Sequence, residues 1–190
     1  MRTLWTIAAG LALLLIAAPA PAAVLYWIGP ASGGTWDNTT PNWNTAADGS
    51  GTTCAWNDPT YGQDVAYFPK TPIGGGGTFT AVILSGTINA NGITIDNTAG
   101  NVTLTGGTLN LTGAAAVAVN GSTTKLYLGT YNSAAGFSLT GTNGLNTSQS
   151  GWVFLSGTNS FSGPTSMLNG SVFDICTNVA WPSNLPLNPT

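Results

Sequence analysis

Short apolar-polar-apolar triplets, separated by Gly, Asn and Thr, recur between residues 81 and 128 of the chain. Alternation with a period of two residues is typical of a strand that buries one face. Strands this short with Gly-rich corners do not make an ordinary hairpin sheet. The six triplets are Val82-Ile83-Leu84, Ile93-Thr94-Ile95, Val102-Thr103-Leu104, Leu109-Asn110-Leu111, Val117-Ala118-Val119 and Leu126-Tyr127-Leu128.

The spacing of these triplets predicts a coil. The last five begin about 7 to 9 residues apart, which suits an architecture in which each strand forms one side of a turn. Strand-like runs continue the pattern at wider spacing, and no stretch has a convincing helical apolar period. The sequence therefore predicts an all-β fold, a parallel β-helix (β-solenoid), with its rungs in residues 73–175. The later runs are Phe137-Ser138-Leu139, Val153-Phe154-Leu155 and Val172-Phe173-Asp174-Ile175.

The low charge fits this prediction and excludes several partners. Of 190 residues, 5% are charged and none is His, whereas about 25% are charged in ordinary domains. Stacked strands lie about 4.8 Å apart, so ladders of like charge repel while Asn, Thr and Ser ladders can hydrogen-bond. With a net charge of -3, and with only Lys70 and Lys125 basic beyond the N-terminus, no basic patch for nucleic acid or an anionic membrane is expected.

Residues 1–22 have the pattern of a secretory signal peptide. Arg2 precedes an apolar run from Leu4 to Ala18, and Ala20-Pro21-Ala22 supplies small residues for cleavage. The run is too short for a membrane span, which needs about 20 residues, and no later segment is long and apolar enough. We therefore expect a secreted or cell-surface protein with no membrane span in the mature chain.

Export makes disulfide bonds possible, and the chain has two cysteines, Cys54 and Cys176. A bond between them would tie the N-terminal segment to the last strand, although a coil separates residues that are distant in sequence. Two separate, buried or half-buried thiols are the alternative.

Residues 23–72 form a Trp-rich segment that is expected to close one end of the coil as a cap of irregular short strands and loops, since an end rung exposes a sheet edge and apolar core. Two interpretations of its Trp and Asp residues stay open. They could pack and cap turns, or they could bind carbohydrate through ring faces and carboxylates. The candidate carbohydrate contacts are Trp36, Trp43, Trp56, Asp37 and Asp58.

No metal or cofactor is expected. The Asp residues of the Trp-rich segment lie 6 to 11 positions apart and match no calcium loop. The run Gly74-Gly75-Gly76-Gly77 leads into a strand rather than a helix, so it indicates a joint between cap and coil and not a phosphate-binding loop.

The stretch Gly151-Trp152-Val153-Phe154-Leu155-Ser156-Gly157-Thr158-Asn159-Ser160-Phe161-Ser162-Gly163, followed by Asn169-Gly170-Ser171-Val172, resembles the autotransporter-associated β-strand repeat. Pro164 and Ser171 depart mildly from its pattern. Residues 26–44 are similar to the head segment that precedes such repeats in large exported bacterial proteins. The resemblance implies a right-handed parallel β-helix displayed at the surface of a bacterium, structural or adhesive, with no catalytic motif to carry over.

The sequence therefore predicts a structural or adhesin-like passenger segment without catalysis, facing extracellular polysaccharide or a host or neighbouring cell surface. The alternative is a carbohydrate-binding module that uses the cap tryptophans. A polysaccharide-degrading β-helix enzyme is a further alternative, and it would require Asp96, Asp174 and Lys125 to converge, because no His or Glu is available for acid-base work.

Two further expectations concern the coil face and the tail. A Thr-rich outer face could bind ice or a crystalline polysaccharide, but its irregular spacing favours ordinary outward-facing strand residues. The Pro-rich tail, residues 176–190, has no recognisable closing cap, so the chain is expected to be a truncated piece of a longer protein, or else the tail folds back as its own cap.

Overall fold

The computed structural model describes residues 22–188, apart from positions 31, 58–62, 70–80, 97–99, 114–115, 132, 134–135, 143–144, 149, 163–164, 168–171 and 177–186. The predicted signal peptide, the tetraglycine joint and most of the Pro-rich tail lie outside the described residues.

All regular secondary structure in the described residues is β-strand, and no helix occurs among them. The predicted all-β class is confirmed. In chain order the strands are β1 (Val24–Trp27), β2 (Gly34–Trp36), β3 (Trp43–Asn44), β4 (Thr53–Cys54), β5 (Val65–Phe68), β6 (Val82–Leu84), β7 (Thr87–Ala90), β8 (Gly92–Ile95), β9 (Asn101–Thr105), β10 (Thr108–Leu111), β11 (Ala116–Val119), β12 (Lys125–Leu128), β13 (Ser138–Thr140), β14 (Leu145–Ser148), β15 (Trp152–Leu155), β16 (Thr165–Met167), β17 (Val172–Ile175) and β18 (Leu187–Asn188).

The strands form three sheets. Sheet A has the spatial order β18-β16-β14-β11-β8-β5-β1-β3-β4, sheet B the order β17-β15-β12-β9-β6-β2, and sheet C the order β13-β10-β7. Pairing is parallel throughout sheets B and C. It is parallel in sheet A as well, except for the antiparallel pairs β1–β3 and β3–β4. The predicted parallel strands are therefore present.

Each predicted triplet lies within one strand, and its two apolar residues face the core. In sheet B, Leu104 pairs with Leu128, which pairs with Leu155, and all three side chains are fully buried. Ile88, Leu109 and Leu139 form the corresponding row in sheet C. Because burial of a Leu or Ile side chain contributes about 1.5–3 kcal/mol, these in-register rows are a main source of stability.

Polar side chains connect neighbouring strands between the apolar rows. The Asn110 side-chain amide donates a hydrogen bond to Asn89 Oδ1 at 2.8 Å, and Ser166 Oγ donates to Asn146 Oδ1 at 2.6 Å. These uncharged ladders are of the kind that the low charge of the sequence predicts.

The N-terminal segment is joined to the sheets that follow it. β5 pairs in parallel with β8 in sheet A, and β2 pairs in parallel with β6 in sheet B. By contrast, β3 and β4 add the antiparallel strands at one edge of sheet A. The proposed boundary near residue 72 is therefore crossed by continuous sheets.

The two cysteines are separate free thiols, Cys54 half-buried on β4 and Cys176 buried after β17. Burial, together with the charge of Asp64, raises the pKa of the Cys54 thiol. Among the described residues there is no helix with the length and hydropathy of a membrane span.

Candidate functional site

The tryptophans of the N-terminal segment converge on one cluster. Trp27, Trp36, Trp43, Trp56 and Phe68 form what we call the cap aromatic cluster, and each is 0% exposed. The ring centroid of Trp43 lies 4.8 Å from that of Trp56, 4.9 Å from that of Trp36 and 5.1 Å from that of Trp27. Tilted and edge-to-face contacts at these distances are favourable for aromatic rings.

This burial bears directly on the candidate carbohydrate contacts. The rings of Trp36, Trp43 and Trp56 lie against one another instead of facing solvent, and those of Trp36 and Trp43 also contact Phe68. The Trp56 indole N–H donates to the backbone carbonyl of Asn89 at 3.0 Å, which fastens the cluster to sheet C. The geometry favours the packing interpretation of these residues.

Asp37 caps a turn. Its carboxylate accepts hydrogen bonds from the backbone N–H and hydroxyl groups of Thr39 and Thr40. These bonds, that from the Thr40 backbone above all, lower the pKa of the Asp37 carboxyl. Asp58 lies outside the described residues, so its role as a sugar contact stays a prediction.

The three residues considered for catalysis are divided between two sheets. Asp96 follows β8 in sheet A and accepts a hydrogen bond from the Tyr67 hydroxyl at 3.0 Å, whereas Lys125 and Asp174 lie on β12 and β17 in sheet B. Burial and the bond to Asp96 raise the pKa of Tyr67. Asp96 thus takes part in a structural contact along sheet A.

A different set of residues forms a surface on the outer face of sheet B. On β12 and β15 the Leu and Val residues face the core, so the alternate positions Lys125, Tyr127, Trp152 and Phe154 lie on the outer face of the sheet. Phe154 is nevertheless buried, at 7% exposed, because neighbouring rings cover it. The strand register places Tyr127 beside Phe154 and Lys125 beside Trp152.

The outward rings stack along the sheet. The centroids of Tyr127 and Phe154 lie 4.6 Å apart with an interplanar angle of 16°, and those of Trp152 and Phe154 lie 6.0 Å apart at 14°. The first distance matches the separation of neighbouring strands, about 4.8 Å, so parallel pairing itself places one ring over the next. We call Tyr127, Phe154 and Trp152 the sheet B aromatic ladder.

Lys125 and Tyr131 flank the ladder. The Lys125 Nζ lies 5.7 Å from the centroid of the Trp152 ring and 5.8 Å from that of Phe154, within range of a cation–π contact. Tyr131 packs nearly perpendicular to Tyr127 and Phe154, with centroid distances of 6.2 and 5.8 Å, yet 53% of it is exposed.

The turn after β12 brings Tyr131 to this position. Gly129 has a φ of 95°, a left-handed conformation that a side chain would strain, and its N–H donates to the Leu104 carbonyl at 2.8 Å. The turn therefore leaves β12 at a fixed point and folds back over the aromatic ladder.

An open groove of about 410 Å³ lies against the ladder. Its size falls within the range of small-molecule pockets, about 300–1,000 Å³. We call it the Tyr127 groove; it is lined by Thr103, Lys125, Tyr127, Thr130, Tyr131 and Phe154. Aromatic rings, hydroxyl groups and one ammonium group make it suited to binding, and its lining includes no carboxylate or imidazole for acid-base catalysis.

Sequence reasoning missed this surface although the signal was present. The triplet pattern uses the apolar residues that face the core, and it assigns no role to Tyr127 and Phe154, the middle residues of their triplets. Two neighbouring strands with aromatic residues at the same outward register are the pattern that would have identified the ladder.

No group of three or more potential metal ligands occurs within the described part of the chain. The Asp37 and Asp48 carboxylates accept hydrogen bonds from backbone N–H groups within their own turns.

Comparison with known proteins gives one distant relationship. The chain is 32% identical over 166 residues to the adhesin BmaC autotransporter of Brucella suis biovar 1 (strain 1330). The aligned region covers 84% of this chain but 4% of that protein. No family model matches the sequence, and no solved structure matches it. The chain is therefore distantly related to a segment of an autotransporter adhesin, and its assignment to the autotransporter-associated β-strand repeat stays a prediction.

Proposed function

We propose that the chain is an exported, surface-displayed segment of an adhesin-like passenger, folded as a right-handed parallel β-helix behind a Trp-rich N-terminal cap. Its role is structural and adhesive, and catalysis is not part of it. Residues 1–22 act as the signal peptide, 23–72 as the cap, 73–175 as the rungs and 176–190 as a Pro-rich tail.

The observation that carries the β-helix is the order in which the chain visits its sheets. β6, β7 and β8 belong to sheets B, C and A, and the next two sets of three strands, β9–β11 and β12–β14, repeat that order. Within each sheet, every strand of the first two sets pairs in parallel with its counterpart in the following set. A chain that coils around three sides satisfies both facts.

The cap proposal is supported by what lies at one edge of sheet A. There the parallel order ends with the antiparallel strands β3 and β4, and the cap aromatic cluster lies within the same segment. An antiparallel edge and a plug of buried rings would protect the end of a coil from pairing with another chain.

The surface role is supported by the distant similarity to the adhesin and by the predicted signal peptide. Antibodies raised against the chain should stain intact cells that produce the whole protein, and cells displaying the chain should attach to polysaccharide or to host or neighbouring cells better than cells without it. Staining that appears only after the envelope is permeabilised would contradict the surface location.

The β-helix has its own test. Small-angle X-ray scattering of the purified protein should give the profile of an elongated particle of uniform cross-section, because coils extend along one axis. A profile that fits a sphere better than an elongated particle would refute the coil; the shape of the profile decides, because the radius of gyration of any compact chain of about 170 residues is roughly 15–16 Å.

Tryptophan fluorescence tests the alternative in which the cap tryptophans bind sugar. In a Trp152→Phe variant, which removes the tryptophan on the outer face of sheet B, the emission of the buried cluster should be blue-shifted, resistant to acrylamide and unchanged by soluble polysaccharides. Red-shifted emission that a polysaccharide protects from quenching would instead favour sugar binding at Trp36, Trp43 or Trp56.

A further inference from the structure

The stacked rings of the sheet B aromatic ladder end at β9, which carries Thr103 at the position beside Tyr127. The register aligns Thr103, Tyr127, Phe154 and Asp174 in one outward row across β9, β12, β15 and β17. Tyr127 and Phe154 are stacked at the strand spacing. At the next position the row continues with Thr103, whose side chain is too short to cover the face of Tyr127.

We propose that the Tyr127 groove binds a pyranose ring of a neutral polysaccharide, which stacks on Tyr127 above Thr103 and continues the ladder by one ring. An apolar ring face and an adjacent polar rim are what a sugar requires, since a pyranose has a flat C–H face and equatorial hydroxyls at its edge. Aromatic side chains supply the large apolar face at low entropic cost.

The polar groups of the groove fit hydroxyl ligands. Thr103, Thr130 and Tyr131 carry hydroxyls that both donate and accept hydrogen bonds, and the Lys125 ammonium donates only. Lys125 is held over the Trp152 and Phe154 rings, so it remains at the groove wall and can donate to a sugar oxygen.

Charge favours an uncharged sugar over an acidic one. The groove has a single cation, and the exposed carboxylate of Asp174 lies in the same outward row, next to Phe154. The whole chain has a net charge of -3. A polymer with a carboxylate on each unit would meet repulsion along this face that one lysine does not offset.

This inference rests on the function proposed above only for the exposure of the face outside the cell. The binding itself is tested with the purified protein, so a failure to bind sugar leaves the surface location standing, and intracellular staining leaves the groove standing.

The experiment is affinity electrophoresis of the purified protein in gels that contain a soluble neutral glucan, a soluble galactomannan or polygalacturonate. We expect retardation by at least one of the neutral polymers and none by polygalacturonate. Tyr131→Ala should weaken that retardation about tenfold, since an aromatic contact of roughly 1.4 kcal/mol corresponds to that factor. Thr103→Tyr should abolish it by occupying the ring position.

The matched control is Ile83→Ala. Ile83 lies on β6 of the same sheet and is 53% exposed, as is Tyr131, but it does not line the groove. Ile83→Ala should bind like the unmodified protein. Circular dichroism and thermal unfolding verify that each variant is folded; if Thr103→Tyr does not fold, Tyr131→Ala against Ile83→Ala still decides.

Three results would overturn the proposal: no retardation by any neutral polymer, retardation confined to polygalacturonate, or equal retardation of Tyr131→Ala and Ile83→Ala. The last of these would place the binding elsewhere on the chain.

Discussion

Trp36 and Trp56 provide a matched test of what holds the cap aromatic cluster together. Both are fully buried, their ring centroids lie 5.0 Å apart, and both contact Trp43. They differ in their indole nitrogens. The Trp56 N–H donates to the Asn89 carbonyl at 3.0 Å, while the Trp36 N–H has no acceptor within the described residues.

Substitution of either residue by Phe removes the same atoms, so the losses in packing largely cancel in the comparison. Trp56→Phe also removes a hydrogen bond, worth about 0.5–1.5 kcal/mol, whereas Trp36→Phe removes a buried, unpaired donor whose desolvation costs about 1–3 kcal/mol. Trp56→Phe should therefore be the more destabilising by about 1.5–4.5 kcal/mol.

The assay is urea unfolding followed by near-UV circular dichroism, which reports on the packed rings. Each variant loses one tryptophan, so their spectra start from comparable baselines, and equal urea dependence allows the midpoints to be compared as free energies. Trp152→Phe is the control outside the cluster, since its indole bonds to the Ser122 carbonyl at the surface. Equal destabilisation by Trp36→Phe and Trp56→Phe, or a larger effect of Trp36→Phe, would refute the reasoning.

Three further predictions concern turns and ladders. The pKa of Asp37 is lowered, chiefly by the hydrogen bond from the Thr40 backbone N–H, so its contribution to stability is present above the ordinary carboxyl pKa of about 3.9 and is lost as pH falls through the lowered folded value. Asp37→Asn should therefore reduce the loss of thermal stability on acidification below pH ~4. An unchanged pH profile would contradict this. Gly86→Ala should cost only the left-handed backbone strain, about 1–2 kcal/mol, because a Cβ there would meet nothing within 4 Å. Gly129→Ala should cost more in thermal unfolding and should weaken polysaccharide retardation, because a Cβ there would meet Ser156 at 3.1 Å. Equal costs would argue against the crowding. Asn110→Ala should destabilise by about 1 kcal/mol in urea unfolding through loss of its bond to Asn89, and no change would mean that the polar ladder contributes little.

The strands that could be predicted from sequence are those with two large apolar residues at alternate positions. β9 and β12 are of this kind, and each contains a triplet that the sequence pattern predicts as a strand. β7 was missed because Ile88 is its one large apolar residue, and β16 has only Met167. β7 pairs with β10, and β16 pairs with β14 and β18. Such strands form because their neighbours impose the pairing, and that information lies about twenty residues away in the chain.

The candidate site was less predictable than the fold. Aromatic content drew attention to Trp36 and its neighbours, but whether a Trp packs or binds depends on where its ring points, which composition does not encode. Prediction of the Tyr127 groove from sequence would require the strand register that aligns Thr103 with Tyr127. Cross-strand alignment of this kind follows from long-range pairing and not from any local motif.

The uncharged ladders between strands have a consequence for the conditions that the protein tolerates. Salt weakens stabilisation that depends on ion pairs, because the screening length falls to about 3 Å at 1 M. Contacts such as the Asn110–Asn89 bond and the Leu104–Leu128 row carry no charge, and the chain has no His to titrate near neutrality. A sheet assembled in this way is expected to keep its stability from low to high salt concentration and across neutral pH.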